Sequence, residues 1–540
     1  MPAKRVFTVF LSMILFFGAA RADDADTRAA TVEFVNRTLN RVLEACGIPA
    51  SQRFPSGANT RIANMEYLLC LVDRANERLN GEPTTNYCES EYATAQVANV
   101  AVVRDAADRL VRVEPNFWMH LSGVEAGDVF SFQFSASGCI GIDWGDGMNI
   151  LRWGNGSHTY TQDGDFVIAI GGRITAYGMG SWGSAPPIAL SFGNSPIKAK
   201  VTKLEGDLGR VFPIVAWSPG TTAPRFSDLF RGFTGLTEIP ETLFAGLQGV
   251  GGHSMFSGAF ADTNITSIPE NLFAGITGPG PSMFMETFRN TKITSIPEGL
   301  FATIKGAPGN HMFWGTFADN PQLTSIPDNL FDNVTRQPQI QAFGSTASTF
   351  EGTFRNTGIT SIPENLFAFP NREEPIRPAP SLFLDTFRNT KITSIPENMF
   401  SGVTGAPAQS TFFGTFRDNP NLTGIIPGGL FAGIQGRPAS NSFVDTFRNN
   451  PGLTGIGDGL FDGIHGNQVG DGSPFDSTFR DCTGLTGPSA RTLIDPDNPA
   501  LGRQFIWEKW PDIGGWRGNR VYMNAIGLDD YDIMPDGWKY

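Results

Sequence analysis

The sequence has little of the residue types that most often carry chemistry. It contains five histidines and five cysteines in 540 residues. No pair of histidines has the spacing of a metal site or of an acid–base pair. No G-x-S-x-G, H-E-x-x-H or P-loop motif is present. We therefore expect no cofactor and no enzyme activity, although carboxylates brought together in space would still allow an extracellular hydrolase.

Positive charge and long apolar segments are also scarce. The chain has 40 Lys and Arg against 53 Asp and Glu, a net charge of −13. An acidic chain lacks the positive field that attracts nucleic acids and anionic membranes, so we expect neither as a partner. The apolar run from Val6 to Phe17 is too short to span a bilayer comfortably, and no other stretch approaches that length.

Residues 1–22 have the features of a secretory signal. Lys4 and Arg5 precede the apolar run, and Ala20-Arg21-Ala22 is a small-x-small cleavage site. They predict a secreted or cell-surface protein, with the periplasm also possible, and no membrane span after cleavage. An uncleaved anchor is the less favoured alternative.

Residues 23–112 show helical periodicity and predict a small bundle of three amphipathic helices. One apolar stripe consists of Val32, Val35, Leu39, Val42 and Cys46. Export favours disulfides, and we expect one among Cys46, Cys70 and Cys88, with the connectivity open. Cys482 is predicted to stay free as a buried filler.

Residues 113–204 change to a period of two, as in Phe130, Phe132 and Phe134, and predict a β-sandwich. The segment Asp143-Trp-Gly-Asp146-Gly and the later His158-Thr-Tyr together resemble the PKD domain. The two aspartates could bind calcium, but carboxylates in a Gly-rich turn more often accept backbone amides, and we favour that interpretation.

A repeat dominates the chain from about residue 226 to residue 490. Two phenylalanines four residues apart mark each of nine copies, which are 28 to 37 residues apart. This spacing places both rings on one face of a short helix. Copies 1 to 9 begin, in order, with the pairs Phe226/Phe230, Phe256/Phe260, Phe284/Phe288, Phe313/Phe317, Phe350/Phe354, Phe383/Phe387, Phe412/Phe416, Phe443/Phe447 and Phe475/Phe479.

Each copy continues with a turn, a short strand such as Ile265–Ile268, and a second helical turn that begins at a proline such as Pro269. Units of this size bury their apolar faces only against neighbours. The predicted fold class is therefore multidomain: helical bundle, PKD-like sandwich, then an α/β leucine-rich-repeat solenoid over 205–490 with a C-terminal cap over 491–540. The cap contains Trp507, Trp510, Trp516 and Trp538.

The motif Phe-x-x-x-Phe, Leu-Thr-x-Ile-Pro-x-x-Leu-Phe resembles the bacterial leucine-rich repeats of BspA-like surface proteins, over about half of the chain. In that family a Gly-Cys pair often follows the second Phe, and here only copy 9 has the cysteine, Cys482. The resemblance implies extracellular binding or adhesion.

An arginine follows the second Phe in seven copies, with Ala261 and Ala318 as exceptions. Stacking would bring these like charges into a row, where they repel unless acids partner them. We favour a structural role, and the acids close enough in sequence are Glu286, Asp385, Asp418, Asp445 and Asp481. The alternative is a binding stripe for an acidic glycan or protein. The seven residues are Arg231, Arg289, Arg355, Arg388, Arg417, Arg448 and Arg480.

Two long inserts, Asn333 to Ser348 and Phe369 to Ser381, either set binding specificity or are tolerated surface padding. We predict an exported recognition or adhesion protein whose repeats bind a protein or surface glycan without catalysis. A polysaccharide-binding accessory protein is the first alternative, and exposed aromatics along the sandwich or the stack would indicate it. A hydrolase and a self-assembling envelope protein are the others.

Overall fold

The computed structural model describes residues 115–134, 136–147, 149–152, 156–177, 188–193, 196–217, 220–306, 308–333, 348–369, 375–465, 473–491, 504–509 and 520–539. The predicted signal peptide and helical domain, with Cys46, Cys70 and Cys88, lie outside them, as do residues 334–347 of the first insert and 370–374 of the second. The chain divides into two compact units. The first is Met1–Pro224 with Thr242–Gln248, and the second is Arg225–Glu241 with Gly249–Tyr540.

The first unit is built from antiparallel strands. A five-stranded sheet has the order β4-β3-β6-β1-β8, and a three-stranded sheet has the order β5-β2-β7. A separate pair joins β9 and β10, and a short helix, α1 (Leu208–Val211), follows β8. The strands are β1 (Pro115–Val124), β2 (Val129–Phe134), β3 (Ala136–Asp143), β4 (Asn149–Arg152), β5 (Gly156–Thr159), β6 (Gly164–Tyr177), β7 (Leu190–Ser191), β8 (Val201–Gly206), β9 (Val215–Trp217) and β10 (Gly220–Thr222).

The two larger sheets of this unit share one apolar core. Phe130 and Phe132 of β2 are buried, whereas Gln133 is exposed, as a period of two requires. Together with Ile168 and Ile170 of β6 they line a common apolar cavity. The side-chain alternation therefore places the face of β2 that carries Phe130 and Phe132 against the larger sheet.

The predicted fold class is wrong for the repeats. The described part of 225–490 contains no α-helix, so the copies are not the strand-and-helical-turn units of an α/β leucine-rich-repeat solenoid. Its strands are short: β11 (Gly249–Val250) pairs in parallel with β12 (Ile276–Gly278), and β13 (Gly424–Ile426) with β14 (Leu453–Ile456). Two four-residue helices, α2 (Ile506–Lys509) and α3 (Asp536–Lys539), follow the repeats.

Left-handed residues explain why no helix forms. In copy 3, Ser282, Glu286 and Asn290 have φ of 51°, 54° and 52°, four residues apart. A right-handed helix needs φ near −63° at every position, so one such residue in four excludes it. The chain instead makes successive i to i+3 turns, in which Thr287 N donates to Phe284 O with Glu286 as the left-handed third residue. Equivalent left-handed residues recur in the other copies.

Successive copies are joined by backbone hydrogen bonds and by stacked rings. Phe284 N donates to Met312 O and Phe288 N to Thr316 O, both at 2.9 Å. The ring of Phe317 stacks between those of Phe288 and Phe354, with both centroid distances 5.8 Å. Because each turn has four residues, the two rings of a copy face the same core without a helix. We call the stacked copies of 226–490 the repeat stack.

The C-terminal region closes the last layer. Tyr522 stacks on Phe479 at 5.1 Å, and Trp538 lies 6.4 Å from Tyr522. Cys482 is free and buried, as predicted, and burial raises its pKa to about 12. Among the acids near the C-terminus, Asp530 is buried and accepts hydrogen bonds from Ser489 and Trp507.

Candidate binding site on the repeat stack

The predicted arginine row lies on one face of the repeat stack. Its side chains are partly exposed, and six of the seven are ion-paired. Arg388, for example, contacts Asp385 of its own copy at 3.3 Å and Asp418 of the next copy at 3.2 Å. All five acids named from the sequence are partners, so the predicted structural pairing is confirmed for these arginines. Whether the row also binds a ligand stays a prediction.

The acids that pair with the row come from two of the left-handed positions in each copy. When the first Phe of a copy is counted as residue 1, the third residue is Asp, Glu, Gly or Ser, and the seventh is Asp or Asn in copies 2 to 9. Where the third is an acid, the seventh is Asn, as in Glu286 and Asn290 of copy 3. Where the third is Gly, the seventh is Asp, as in Gly315 and Asp319 of copy 4. Copy 5 departs from this rule because it has Gly352 and Asn356.

Copy 2 shows how the row closes over a copy that has neither an acid at the third position nor an arginine. Gly258 and Ala261 replace them. Arg231 of copy 1 reaches across, contacting Asp262 at 3.1 Å and Glu286 of copy 3 at 2.9 Å. A Cβ placed on Gly258 would collide with Asp228 and Arg231. The space above this glycine is therefore filled by an ion pair.

Copy 4 has the same two replacements, Gly315 and Ala318, but no bridge. Arg289 of copy 3 contacts Glu286 at 2.9 Å and Asp319 at 2.8 Å. The next copy has Gly352 where copy 3 has its glutamate, so no carboxylate there can extend the row. A Cβ on Gly352 would come within 4 Å of one atom, the Cβ of Arg355, at 3.9 Å. No other atom of the described residues lies within 4 Å of where that Cβ would be.

Arg355 borders the open position and is the exception in the row. Within the described residues no carboxylate lies within 4 Å of its guanidinium. Its buried Nε has no hydrogen-bond partner, which is also true of the Nε atoms of Arg417 and Arg480. The nearby Asp319 is already bonded by Arg289 and by Asn356, the latter at 2.6 Å. A buried N–H without an acceptor costs about 1–3 kcal/mol. We call the open position, defined by Gly315, Ala318, Gly352 and Arg355, the Arg355 gap.

Aromatic and acidic residues occupy the second position of copies 4 and 5, next in sequence to Gly315 and Gly352. Trp314 directly precedes Gly315 and is partly exposed, with the ring of His311 at 5.9 Å. Glu351 lies one copy further on, where Gly315 N donates to its carbonyl at 2.8 Å. Burial raises the pKa of Glu351 and lowers the pKa of His311.

A second face of the repeat stack carries exposed threonines and acids. Consecutive threonines are linked through the backbone, as in Thr360 N to Thr324 O at 3.3 Å and Thr393 N to Thr360 O at 3.2 Å. The exposed acids of this face are Glu241, Glu270, Glu298, Asp328, Glu364 and Glu397. A row of acids on its own does not define a site, and their hydroxyl neighbours already bond to the backbone.

The aspartates of the PKD-like turn have partners within the chain. Asp143 Oδ1 accepts a hydrogen bond from Gly145 N at 2.8 Å, which confirms the backbone-amide interpretation for this residue. Asp146 lies 2.7 Å from His158 Nε2, and both side chains are largely buried. The His158 ring stacks on Trp144 at 4.8 Å. This arrangement stabilises the turn against the core.

No group of three or more potential metal-ligating residues occurs in the part of the chain that the structure describes. No helix in that part is long and apolar enough to cross a bilayer. A scan against protein-family models found no matching family, and a search of curated proteins found no match. The resemblances to BspA-like repeats and to the PKD domain therefore stay predictions.

Proposed function

We propose that this chain is an exported recognition protein that binds a partner at a cell surface through one face of its repeat stack. The proposed location is outside the cell or on its surface, with the periplasm as the alternative. The proposal includes neither catalysis nor a nucleic-acid partner. The sequence resemblances to BspA-like and PKD-containing surface proteins support it, as does the signal-like N-terminus. Its partner is a protein or a surface glycan.

The observation that carries the proposal is the Arg355 gap. Six of the seven arginines contact an acid within 4 Å. Arg355 has no such contact among the described residues, its buried Nε has no hydrogen-bond partner, and a Cβ added to the neighbouring Gly352 would meet only the Cβ of Arg355. An unmade hydrogen bond of this kind is a net cost to folding, and a ligand that supplies the acceptor recovers it.

Binding by the full chain to cell surfaces, envelope proteins and a glycan array tests the proposal. Three variants assign the ligand to a region: Arg355→Ala at the gap, Thr324→Lys on the exposed threonine face, and Gln133→Lys on the exposed side of β2 as the control. We expect at least one ligand whose binding is reduced by a repeat-stack variant and unchanged by the control. Finding no ligand that depends on the repeat stack contradicts the proposal. Release of reducing ends from a bound glycan contradicts its non-catalytic part.

A further inference from the structure

The second residues of copies 3 to 7 form a column on the surface of the repeat stack. In each of copies 3 to 6, the amide N–H of the third residue donates to the carbonyl of the second residue of the next copy, at 2.8 Å. These bonds place the second residues of successive copies one above the next. They are partly exposed, whereas the second residues of copies 1, 2 and 8 are buried. We call them the second-position column, which consists of Met285, Trp314, Glu351, Leu384 and Phe413.

Four of the five side chains of the second-position column are large and apolar. They form two adjacent pairs, one on each side of Glu351. Single exposed apolar side chains such as Val250 and Ile425 are ordinary on a protein surface. A row of them in neighbouring copies is not, because contiguous apolar surface marks a place where a partner binds. The second-position column is therefore a candidate docking surface.

The middle of the second-position column carries a carboxylate that its surroundings do not fully compensate. Burial raises the pKa of Glu351, and the charge of Asp385 raises it further, which outweighs the hydrogen bond from Ser348 and the charge of Arg355. A cation brought to this carboxylate would stabilise its ionised form. No lysine or arginine occupies the second position in any of the nine copies, and the net charge of the chain is −13. The surface is therefore complementary to a basic partner, which the net charge attracts from a distance.

The spacing of the second-position column restricts the backbone conformation of the partner. In copies 3 to 7 the centroids of the first-position rings are 5.6–5.9 Å apart from one copy to the next. The second residues follow the same repeat because they are next in the chain and are bonded in register. An α-helix presents one side chain to the same face about every 5.4 Å. An extended strand does so about every 6.7 Å and would lose register within about three copies. A helix along the column therefore meets each copy with one turn.

The acid at the centre of the second-position column argues against a second copy of this chain as the occupant. In a two-fold symmetric pair whose columns are centred on each other, the two Glu351 carboxylates lie opposite each other. Like charges at that position repel, whereas a lysine or arginine is attracted. The column therefore fits a different chain better than it fits itself.

Resting on the function proposed above, we propose that the second-position column binds an amphipathic α-helix of a partner protein. Apolar side chains of successive turns of this helix pack on the four apolar residues of the column, and a lysine or arginine of its middle turn pairs with Glu351. Helices recognised in this way have their anchors at i, i+3 or i+4, and i+7. The apolar contacts supply most of the affinity, and the central ion pair fixes the register of the helix along the column.

Binding of three fluorescent model peptides to the full chain, measured by anisotropy, tests this inference. The first is a helical peptide of about 18 residues, or five turns, with leucine on one face and a single lysine in the middle turn of that face. The second has glutamate in place of the lysine. The third keeps the lysine and has prolines that prevent the helix. We expect the lysine helix to bind best and each of the other two to bind about tenfold or more weakly.

Four variants of the chain locate the binding and separate local pairing from net charge. Trp314→Ser and Phe413→Ser, which place the serine of copies 1 and 2 in the column, should each weaken the lysine helix about tenfold or more. Ile425→Ser removes an exposed isoleucine outside the column and should leave binding unchanged. Glu351→Lys should invert the preference, so that the glutamate helix binds better than the lysine helix. Attraction by the net charge alone would not invert.

The outcomes separate this inference from the proposed function. Photo-crosslinking from benzoylphenylalanine at position 384 should label the lysine helix, and crosslinks to a second copy or to residues 23–112 of the chain would overturn the assignment. Equal binding of the lysine and glutamate helices, unchanged binding in Phe413→Ser, or no binding of the lysine helix would also overturn it. If the broad search still finds a ligand that depends on the repeat stack, the proposed function stands without this inference. Circular dichroism and thermal unfolding of each variant confirm that a loss of binding is not a loss of folding.

Discussion

Copies 2 and 4 of the repeat stack are nearly the same in sequence and different in what they present. Both have glycine and alanine where copies 1, 3, 6 and 8 have an acid and an arginine. Over copy 2, Arg231 reaches Glu286 of copy 3. Over copy 4, Glu286 lies 3.5 Å from where a Cβ on Gly315 would be, and the space that no described side chain fills is over Gly352 of copy 5, because copy 4 has no acid at the equivalent position. One residue in a neighbouring copy thus decides whether a stretch of this face is a closed ion-pair network or an open site.

The comparison teaches that a repeated residue does not have one role in all its copies. Arg388 and Arg355 occupy the same position, yet Arg388 contacts two aspartates and Arg355 has no carboxylate within 4 Å among the described residues. A stack is regular in its backbone, and so each irregularity in its side chains changes the surface locally. The following predictions test this difference between copies.

The largest expected effect is a loss of folding stability, and it should be equal in copies 2 and 4 because both belong to one stack of rings. Phe260 of copy 2 and Phe317 of copy 4 are fully buried, and each stacks on two neighbours at 5.7–5.8 Å. Phe260→Ala and Phe317→Ala should each lower the free energy of unfolding by about 3–5 kcal/mol. Denaturant unfolding measures this. A loss confined to one variant would mean that the copies do not share a continuous core.

The next effect concerns the ion-pair bridge over copy 2. Glu286→Gln removes the charge that holds Arg231 and Arg289, each at 2.9 Å, and should lower the free energy of unfolding by about 1 kcal/mol. The loss should shrink in high salt because these side chains are partly exposed. Thermal unfolding at low and high salt checks it. An unchanged stability at low salt would show that the bridge over copy 2 contributes nothing.

Adding an acid to copy 5 should be tolerated. Gly352 has φ of 57°, which Asp385 also adopts at 52°, and its position is open. Gly352→Asp should change the free energy of unfolding by less than about 1 kcal/mol, with the strain and the new ion pair offsetting each other. The matched control is Gly414→Asp, where the new side chain collides with Asp385 and should cost about 1–3 kcal/mol. Equal effects at the two glycines would contradict an open position at 352.

The smallest effect should be a pH dependence at Glu351. Burial raises its pKa above the ordinary value of 4.5, so the folded chain holds this proton more tightly than the unfolded chain. Its contribution to stability is therefore largest at low pH and is lost as the pH rises through the raised pKa. Glu351→Gln should stabilise the protein slightly at pH 7 and leave it unchanged below pH of about 4. Stabilisation of the same size at both pH values would exclude this titration as the cause.

Sequence patterns predicted the repeat, its period and the acids that pair with the arginines, because all three depend on neighbours along the chain. The alternation of Phe130 and Phe132 likewise predicted a strand, and β2 covers it. The helix predicted for each Phe pair is wrong because an i, i+4 spacing is shared by a helix and by successive four-residue turns. The deciding signal was present: Ser282, Glu286 and Asn290 repeat turn-tolerant residues every four positions, which a helix does not need.

The Arg355 gap was not predicted, although its residues are visible in the sequence. Aligning the copies shows that copy 5 has Gly352 and Asn356, whereas copies 4 and 6 each have an acid at either the third or the seventh position. Knowing that Arg231 spans two copies, however, requires the register of the stack and the reach of its side chain. The opening over Gly352 depends on what copy 4 lacks, and so it follows from packing between copies and not from a motif within one.

The most direct test of the account is hydrogen exchange of the arginine Nε–H groups, measured by NMR on the ¹⁵N-arginine-labelled full chain and assigned by single substitutions. Arg231 and Arg388 should exchange slowly because their Nε atoms donate to Asp228 and Asp418. Arg355 should exchange faster and become protected in Gly352→Asp. Protection of Arg355 in the unmodified chain equal to that of Arg231, unaltered by the substitution, would contradict the claim that copy 5 leaves this donor unused.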